Sequence, residues 1–259
     1  TETGFPSWLA ELTGRTDWPA QWALAPFVSG TGIDLSDVPD IPIRSQGTCP
    51  SSDACAFDCT QCAASDDVSS CSGFAQTFDD GPASTTTNLI NNLNTKATFF
   101  TLGQNIISYP DIYRATLAKG HLMASHTWSH PFLPSLTNEQ IAGELQWSIW
   151  AMQAAGGHVP KWFRPPYGGI DNRVRAIVRK FGMRSVLWNY DTNDWKLAGG
   201  DITPEEIFSQ ATSWIAQGPG VVLEHDIVAQ NVEVGIELAS SYFTDLVTVN
   251  ECVGDSEYQ

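Results

Sequence analysis

Short apolar runs alternate with capped, helix-like segments at least six times between residues 74 and 246. That rhythm restricts the chain to a parallel sheet with helices outside it, either open or closed into a barrel. The strand-like runs are FAQTF, ATFFTL, HLMAS, KWFRP, RSVLWNY and GVVLEH. Helices are expected over TTTNLINNLN, over DIYRATLAKG with Gly120 as its stop, and from Thr137 to Gly156. Thr137 with Gln140 forms a capping box, and so does Thr203 with Glu206 ahead of a helix that has Pro204 at its first position. Asp171 caps a further helix ended by Gly182, and a last one is expected over Val232 to Leu246.

In such folds the working residues stand at the carboxyl ends of strands. Asp79 and Asp80 follow FAQTF, His126 follows HLMAS, Arg164 to Gly168 follow KWF, Asp191 to Trp195 follow RSVLWNY, and His225 follows GVVLE. Taken alone, TFDDGP is an Asp-Gly-Pro turn. Turn residues scattered at random would not keep this register, so a site is expected. In HTWSH, His126 and His130 stand four residues apart, which on one helical turn brings both imidazoles to one side. Two imidazoles and a carboxylate, with positions left open, make a catalytic zinc arrangement.

Residues 1–70 lack clean periodicity and read as an extension that wraps the catalytic part, residues 71–259; FPSWLAELTG is a short helix and DLSDVPDIPIR extended coil. Five of the six cysteines lie between Cys49 and Cys71, and the sixth is Cys252. Cys59-Thr-Gln-Cys62 could hold zinc, but an even count in a Ser- and Asp-rich segment reads as disulfides and a secreted, extracellular or cell-wall protein. Sequence does not choose among the 15 pairings of six cysteines; Cys252 is expected to tie back to the N-terminal segment.

A formal charge of −16, from 13 basic and 29 acidic residues, argues against nucleic acid and anionic membranes as partners. No apolar run is long enough to span a bilayer. No leader pattern is visible, and Thr1 in place of Met suggests earlier processing. The chain is expected to be a monomer. No Asn-x-Ser/Thr occurs, so ordinary N-glycosylation is not expected.

TFDDGP, HTWSH, RPPYG, DTNDW and LEH, in this order and spacing, resemble the motifs of the polysaccharide deacetylase family, carbohydrate esterase family 4, and within it a fungal chitin deacetylase. The resemblance spans roughly Cys71 to Leu246. It implies an α/β fold, a distorted, incomplete (β/α) barrel; the N-terminal disulfide-bearing extension lies outside the motifs. It implies that Asp80, His126 and His130 hold a metal, Zn2+ or another divalent transition ion such as Co2+. Asp79 would be the general base, fixed by a bidentate Arg164. The backbone N–H of Tyr167 would stabilise the oxyanion, and His225, oriented and kept cationic by Asp194, would be the general acid. Leu223 and Trp195 would line the acetyl pocket, and Trp128 is a candidate sugar platform, with Trp188 more a core residue. Asp191 is either a site residue or a loop cap. The implied reaction removes N-acetyl groups from chitin or chitin oligosaccharides. The rivals are peptidoglycan or acetylxylan deacetylation, an inactive carbohydrate-binding protein, and a metal-dependent nuclease that the acidic charge disfavours. His121 and His158 are read as structural; Leu122 stands where family members often carry an acidic residue.

Overall fold

The computed structural model describes residues 4–259. Seven parallel strands form one sheet: β1 (Ala75–Asp79), β2 (Thr98–Thr101), β3 (Leu122–Ser125), β4 (Trp162–Phe163), β5 (Arg184–Ser185), β6 (Tyr190–Asp191) and β7 (Val221–His225). Their order is β5-β4-β3-β2-β1-β7-β6. The segment RSVLWNY is therefore not one strand. It begins on one edge of the sheet as β5 and ends on the other edge as β6. A connection of four residues reaches at most about 17 Å, so the two edges lie close together and the sheet is curled into an incomplete barrel. The gap is partly filled by the extension, because Val68 bridges Val186 in parallel and accepts a hydrogen bond from Leu187.

Both faces of the central strands are covered, which is why they read as continuous apolar runs. On β1, Gln76 and Phe78 turn outward against Gly235 of the helix Ala229–Glu237. Thr77 and Asp79, on the alternate face, meet Arg164 inside the curl. The helix expected over Val232 to Leu246 starts earlier, at Ala229, because Val228 supplies the extended residue before it, and it closes with a wide turn over Leu238–Tyr242; it is not the last, since a short helix, Val249–Val253, follows.

The helix Asn138–Gly156 begins at the expected Thr137–Gln140 box and is capped by Gly157 in the left-handed region, one residue beyond the expected stop. It is buried nearly all round. Its outer side is covered by the segment Ala25–Thr31. Ala25 donates to Glu144, Val28 exchanges two hydrogen bonds with the Gln146 amide, and the Trp147 indole donates to Pro26. Polar side chains on a buried helix thereby find partners. Gly143 permits the close approach, since a Cβ there would lie 2.5 Å from the Ala25 carbonyl.

All six cysteines are paired, as Cys49–Cys59, Cys55–Cys62 and Cys71–Cys252, so none is left for a metal. The last closes a separation of 181 residues, as expected for Cys252. In the chain-entropy view it contributes about 5 kcal/mol by restricting the unfolded chain.

Candidate active site

The strand ends converge. β1 delivers Asp79 and Asp80, β3 delivers His126, β4 delivers Arg164, β6 ends in Asp191, and β7 ends in His225. Asp79 and His225 are direct register partners on neighbouring strands. All of these but the fully buried Arg164 border a cleft of about 550 Å³, whose walls also include Gln46, His130, Tyr167, Trp188, Trp195 and Leu223.

Asp80, His126 and His130 each direct one ligand atom to a common point, all within 4.8 Å of one another. The spacing of the two histidines works, but not as a helical turn. HTWSH is a loop in which Thr127 (φ 74°) and His130 (φ 66°) occupy the left-handed region, as do Asp80 (φ 82°) and Tyr167 (φ 60°). Such backbone costs on the order of 1–3 kcal/mol per residue and persists where the surroundings enforce it. Here the Thr127 hydroxyl accepts from the His130 N–H, and the Asn105 amide donates to the Asp80 carbonyl. The His126 Nδ1 lies 2.8 Å from the Arg164 carbonyl. A carbonyl only accepts, so Nδ1 carries the proton and Nε2 offers its lone pair. Asp80 Oδ1 lies 3.3 Å from that Nε2 and 3.2 Å from the Nε2 of His130. This oxygen is buried and has no hydrogen-bond donor. Burial alone works against the Asp80 charge, so the carboxylate needs a compensating positive charge at this point. Lone pairs that converge on one point need a shared positive charge, so the cluster fits a divalent cation.

Asp79 is almost fully buried beside this triad, with Oδ2 3.7 Å from His126 Nε2. Its other oxygen accepts from Arg164 Nη1 at 2.8 Å. The expected bidentate pair is not formed. The same Nη1 also donates to the Thr77 hydroxyl, while Nε and Nη2 reach the carbonyls of Val186 and Leu187. Arg164 thus links β1 to the segment that crosses between the sheet edges, and its guanidinium lies over Phe100. One Asp79 oxygen is thereby occupied while the other faces the cleft.

His225 Nδ1 lies 2.6 Å from Asp194 Oδ1, and its backbone N–H donates to Asp194 Oδ2. Burial by itself would lower the imidazole pKa. The hydrogen bond and charge of Asp194, with the charges of Asp80 and Asp79 behind, outweigh it and raise the value to about 10. With Nδ1 committed to Asp194, Nε2 is the nitrogen left to face the cleft.

Trp195 is 61 % and Tyr167 54 % exposed at the cleft, with Leu223 buried below them. Trp128 does not belong there. It is 1 % exposed, stacks on Trp18 and donates to the Ala20 carbonyl, because the left-handed turn at Thr127 carries its ring inward. Trp188, read as a core residue, does line the cleft and packs edge-on against Phe57. Asp191 caps the turn by accepting from the Asn193 N–H, and it also borders the cleft. His121 is buried and bonded to the Ala97 N–H, His158 is half-buried and bonded to the Tyr113 hydroxyl, and desolvation lowers each to a pKa of about 4.

Three residues carried no signal in the sequence. Gln46 reaches the cleft from the extension. Asp226 is buried behind Asp80, bonded to the Thr86 hydroxyl, and burial followed by the Asp80 charge raises its pKa to about 7. Glu144 looks like a surface residue on an ordinary helix, yet it is fully buried and accepts from the N–H and hydroxyl of Ser129 and from Ala25. It ties the extension to the loop between the two histidines. Glu144→Leu strands three buried donors, and a destabilisation of about 3 kcal/mol is expected in urea unfolding, with weaker metal binding. An unchanged midpoint would show that the tie is dispensable.

Residues 68–186 match the model of the family described as polysaccharide deacetylase. The chain is 48 % identical over 262 residues to chitin deacetylase 2 of Saccharomyces cerevisiae, covering all of this chain and 83 % of that protein. It is 49 % identical over 261 residues to chitin deacetylase 1 of the same yeast, covering 99 % and 86 %. Among solved structures, the chitin deacetylase from the fungal pathogen Colletotrichum lindemuthianum superposes with a TM-score of 0.64 at 30 % identity, over 73 % of this chain and 92 % of that one.

Proposed function

This chain belongs to the polysaccharide deacetylase family, and from that premise we propose that it is a metal-dependent chitin deacetylase. It hydrolyses the N-acetyl group of N-acetyl-glucosamine units in chitin or its oligosaccharides, releasing acetate and leaving the free amine. The observation that carries the reading is the pairing of two carboxylates in different states at one strand end. Asp80 converges with two imidazoles, whereas Asp79 is held by Arg164 with one oxygen turned to the cleft.

Asp80, His126 and His130 would hold the metal. Two imidazoles and one carboxylate suit Zn2+ best, with Co2+ next. A divalent cation there supplies Lewis acidity, which makes water a better nucleophile at neutral pH and draws charge from an amide carbonyl.

The protein groups perform the proton transfers. Asp79 takes a proton from the attacking water as its oxygen adds to the acetyl carbon. The Tyr167 N–H lies in the first turn of a short 3₁₀ segment, Pro166–Gly168, where an N–H has no intrahelical acceptor. It donates to the carbonyl oxygen as negative charge develops, an interaction worth roughly 3–4 kcal/mol in comparable sites. The C–N bond then breaks, and His225 gives its proton to the leaving nitrogen. Asp194 keeps that imidazole protonated and aimed. Leu223 and Trp195 border the space for the acetyl methyl group.

We propose the division into an extension, residues 1–70, and a catalytic part, residues 71–259; the start of the family match at residue 68 supports it. Complete pairing of the cysteines supports a secreted or cell-wall location. A monomer is the proposed state. No helix among the described residues is long and apolar enough to cross a membrane.

The test is acetate release from N-acetyl-glucosamine oligomers of increasing length, with zinc and with a chelator. Metal-dependent release that rises with length is expected. Release from acetylxylan or peptidoglycan alone would keep the site and move the substrate.

A further inference from the structure

The catalytic cleft does not end at the metal triad. On the far side of Asp80 and His130 lies a second depression of about 240 Å³, which shares those two residues with the cleft and is otherwise walled by Trp22, Pro82, Tyr109 and Ile227, among others. Trp22, Tyr109 and Ile227 are all exposed, and Trp22 is 73 % exposed. A single exposed apolar side chain is ordinary on a protein surface. Three together beside a polar reaction centre form a patch of the kind that marks a binding site.

Trp22 is also held there. Its backbone is in the left-handed region at φ 61°, a conformation rare for a bulky residue. Its N–H donates to the Gln104 side chain at 2.7 Å. The neighbours on either side are tethered too. Gln21 donates to the Ser108 hydroxyl, the Ala20 carbonyl accepts from the buried Trp128 indole, and Ala25 donates to the buried Glu144. Four anchors within six residues fix an indole whose own ring is left in solvent. Such an arrangement serves no core. It presents a rigid aromatic face.

Resting on the reading of the site as a glycan deacetylase, we infer that this depression is a sugar subsite supplied by the N-terminal extension. Trp22 stacks on the apolar face of the pyranose ring next to the one being deacetylated, with Tyr109 beside it. Aromatic rings take the C–H face of a sugar and leave its hydroxyl groups in water. The cleft and the depression meet at Asp80 and His130. A linear polymer with one ring over the triad can then extend its next ring into the depression that Trp22 lines. The extension is thus a determinant of the chain length that the enzyme prefers.

The test compares kcat/KM for the dimer and the tetramer of N-acetyl-glucosamine in the full chain, the Trp22→Ala variant and the Tyr109→Ala variant, each loaded with zinc. The wild-type preference for the tetramer should fall by roughly 3- to 10-fold in Trp22→Ala, through KM rather than kcat, and by less in Tyr109→Ala. Trp22→Phe should restore most of it. A tetramer-to-dimer ratio equal to wild type in both alanine variants would overturn the inference while leaving the deacetylase reading intact. Loss of bound zinc or of folded protein in Trp22→Ala, with an unchanged ratio in Tyr109→Ala, would make Trp22 a structural residue and overturn it as well. No acetate from any oligomer with the wild type would defeat the deacetylase reading, and the subsite would fall with it.

Discussion

Asp79→Asn is expected to keep the metal and lose turnover, with kcat lower by about 10²- to 10⁴-fold. The substitution preserves shape and removes the ability to accept a proton. The three converging ligand atoms belong to other residues, so metal content measured on the purified variant should match wild type. A second effect follows from burial. Arg164 is fully buried, and Asp79 is the carboxylate that it pairs with. Neutralising Asp79 leaves a buried guanidinium without its counter-charge, which costs about 3–5 kcal/mol when a buried pair is broken on one side. A lower unfolding midpoint should therefore accompany the loss of rate. If zinc is lost instead, the roles of the two aspartates have been exchanged.

Asp194→Asn should remove the acid step at neutral and alkaline pH, again by about 10²- to 10⁴-fold in kcat. His225 has its pKa raised to about 10, and the largest raising influence is Asp194. The imidazole is thus protonated below that value and able to donate. Without the carboxylate, burial lowers the pKa, and the proton is lost at a lower pH. The alkaline limb of the kcat profile should move toward acid. A bound cation beside Asp80 acts in the same direction in both proteins, so the difference between their profiles isolates Asp194. An asparagine can also offer its amide to Nδ1 and select the wrong tautomer. A profile that does not move would mean that His225 is not the acid.

Much of this site was readable because its signals are local. The capping boxes at Thr137 and Thr203 involve residues three apart, and both form as expected. The alternation of apolar strands and helices, and polar residues just after strands, also depend on a few neighbouring positions. They located Asp79, Asp80, His126, Arg164 and His225 at one end of the sheet. The histidine spacing led to the right pair by an incorrect route, since the loop reaches the same point through left-handed turns. Trp128 shows the limit most clearly. It lies between the two histidines in sequence, yet points away from them because Trp18 and Ala20 bury it from outside the motif.

The sequence by itself determined the parallel α/β architecture, the residue types that stand at the carboxyl ends of the strands, and an oxidised cysteine set in an acidic chain. Tertiary structure alone decided how those groups are held. Arg164 divides its donors among β1 and the crossing segment, with Asp79 85 residues away in the chain. Glu144 reaches Ala25 across 119 residues. RSVLWNY splits because the sheet curls until its edges nearly meet. Secondary structure and caps are set by interactions within a turn or two, whereas burial and the partner of a charged side chain depend on which distant segments the folded chain brings against it.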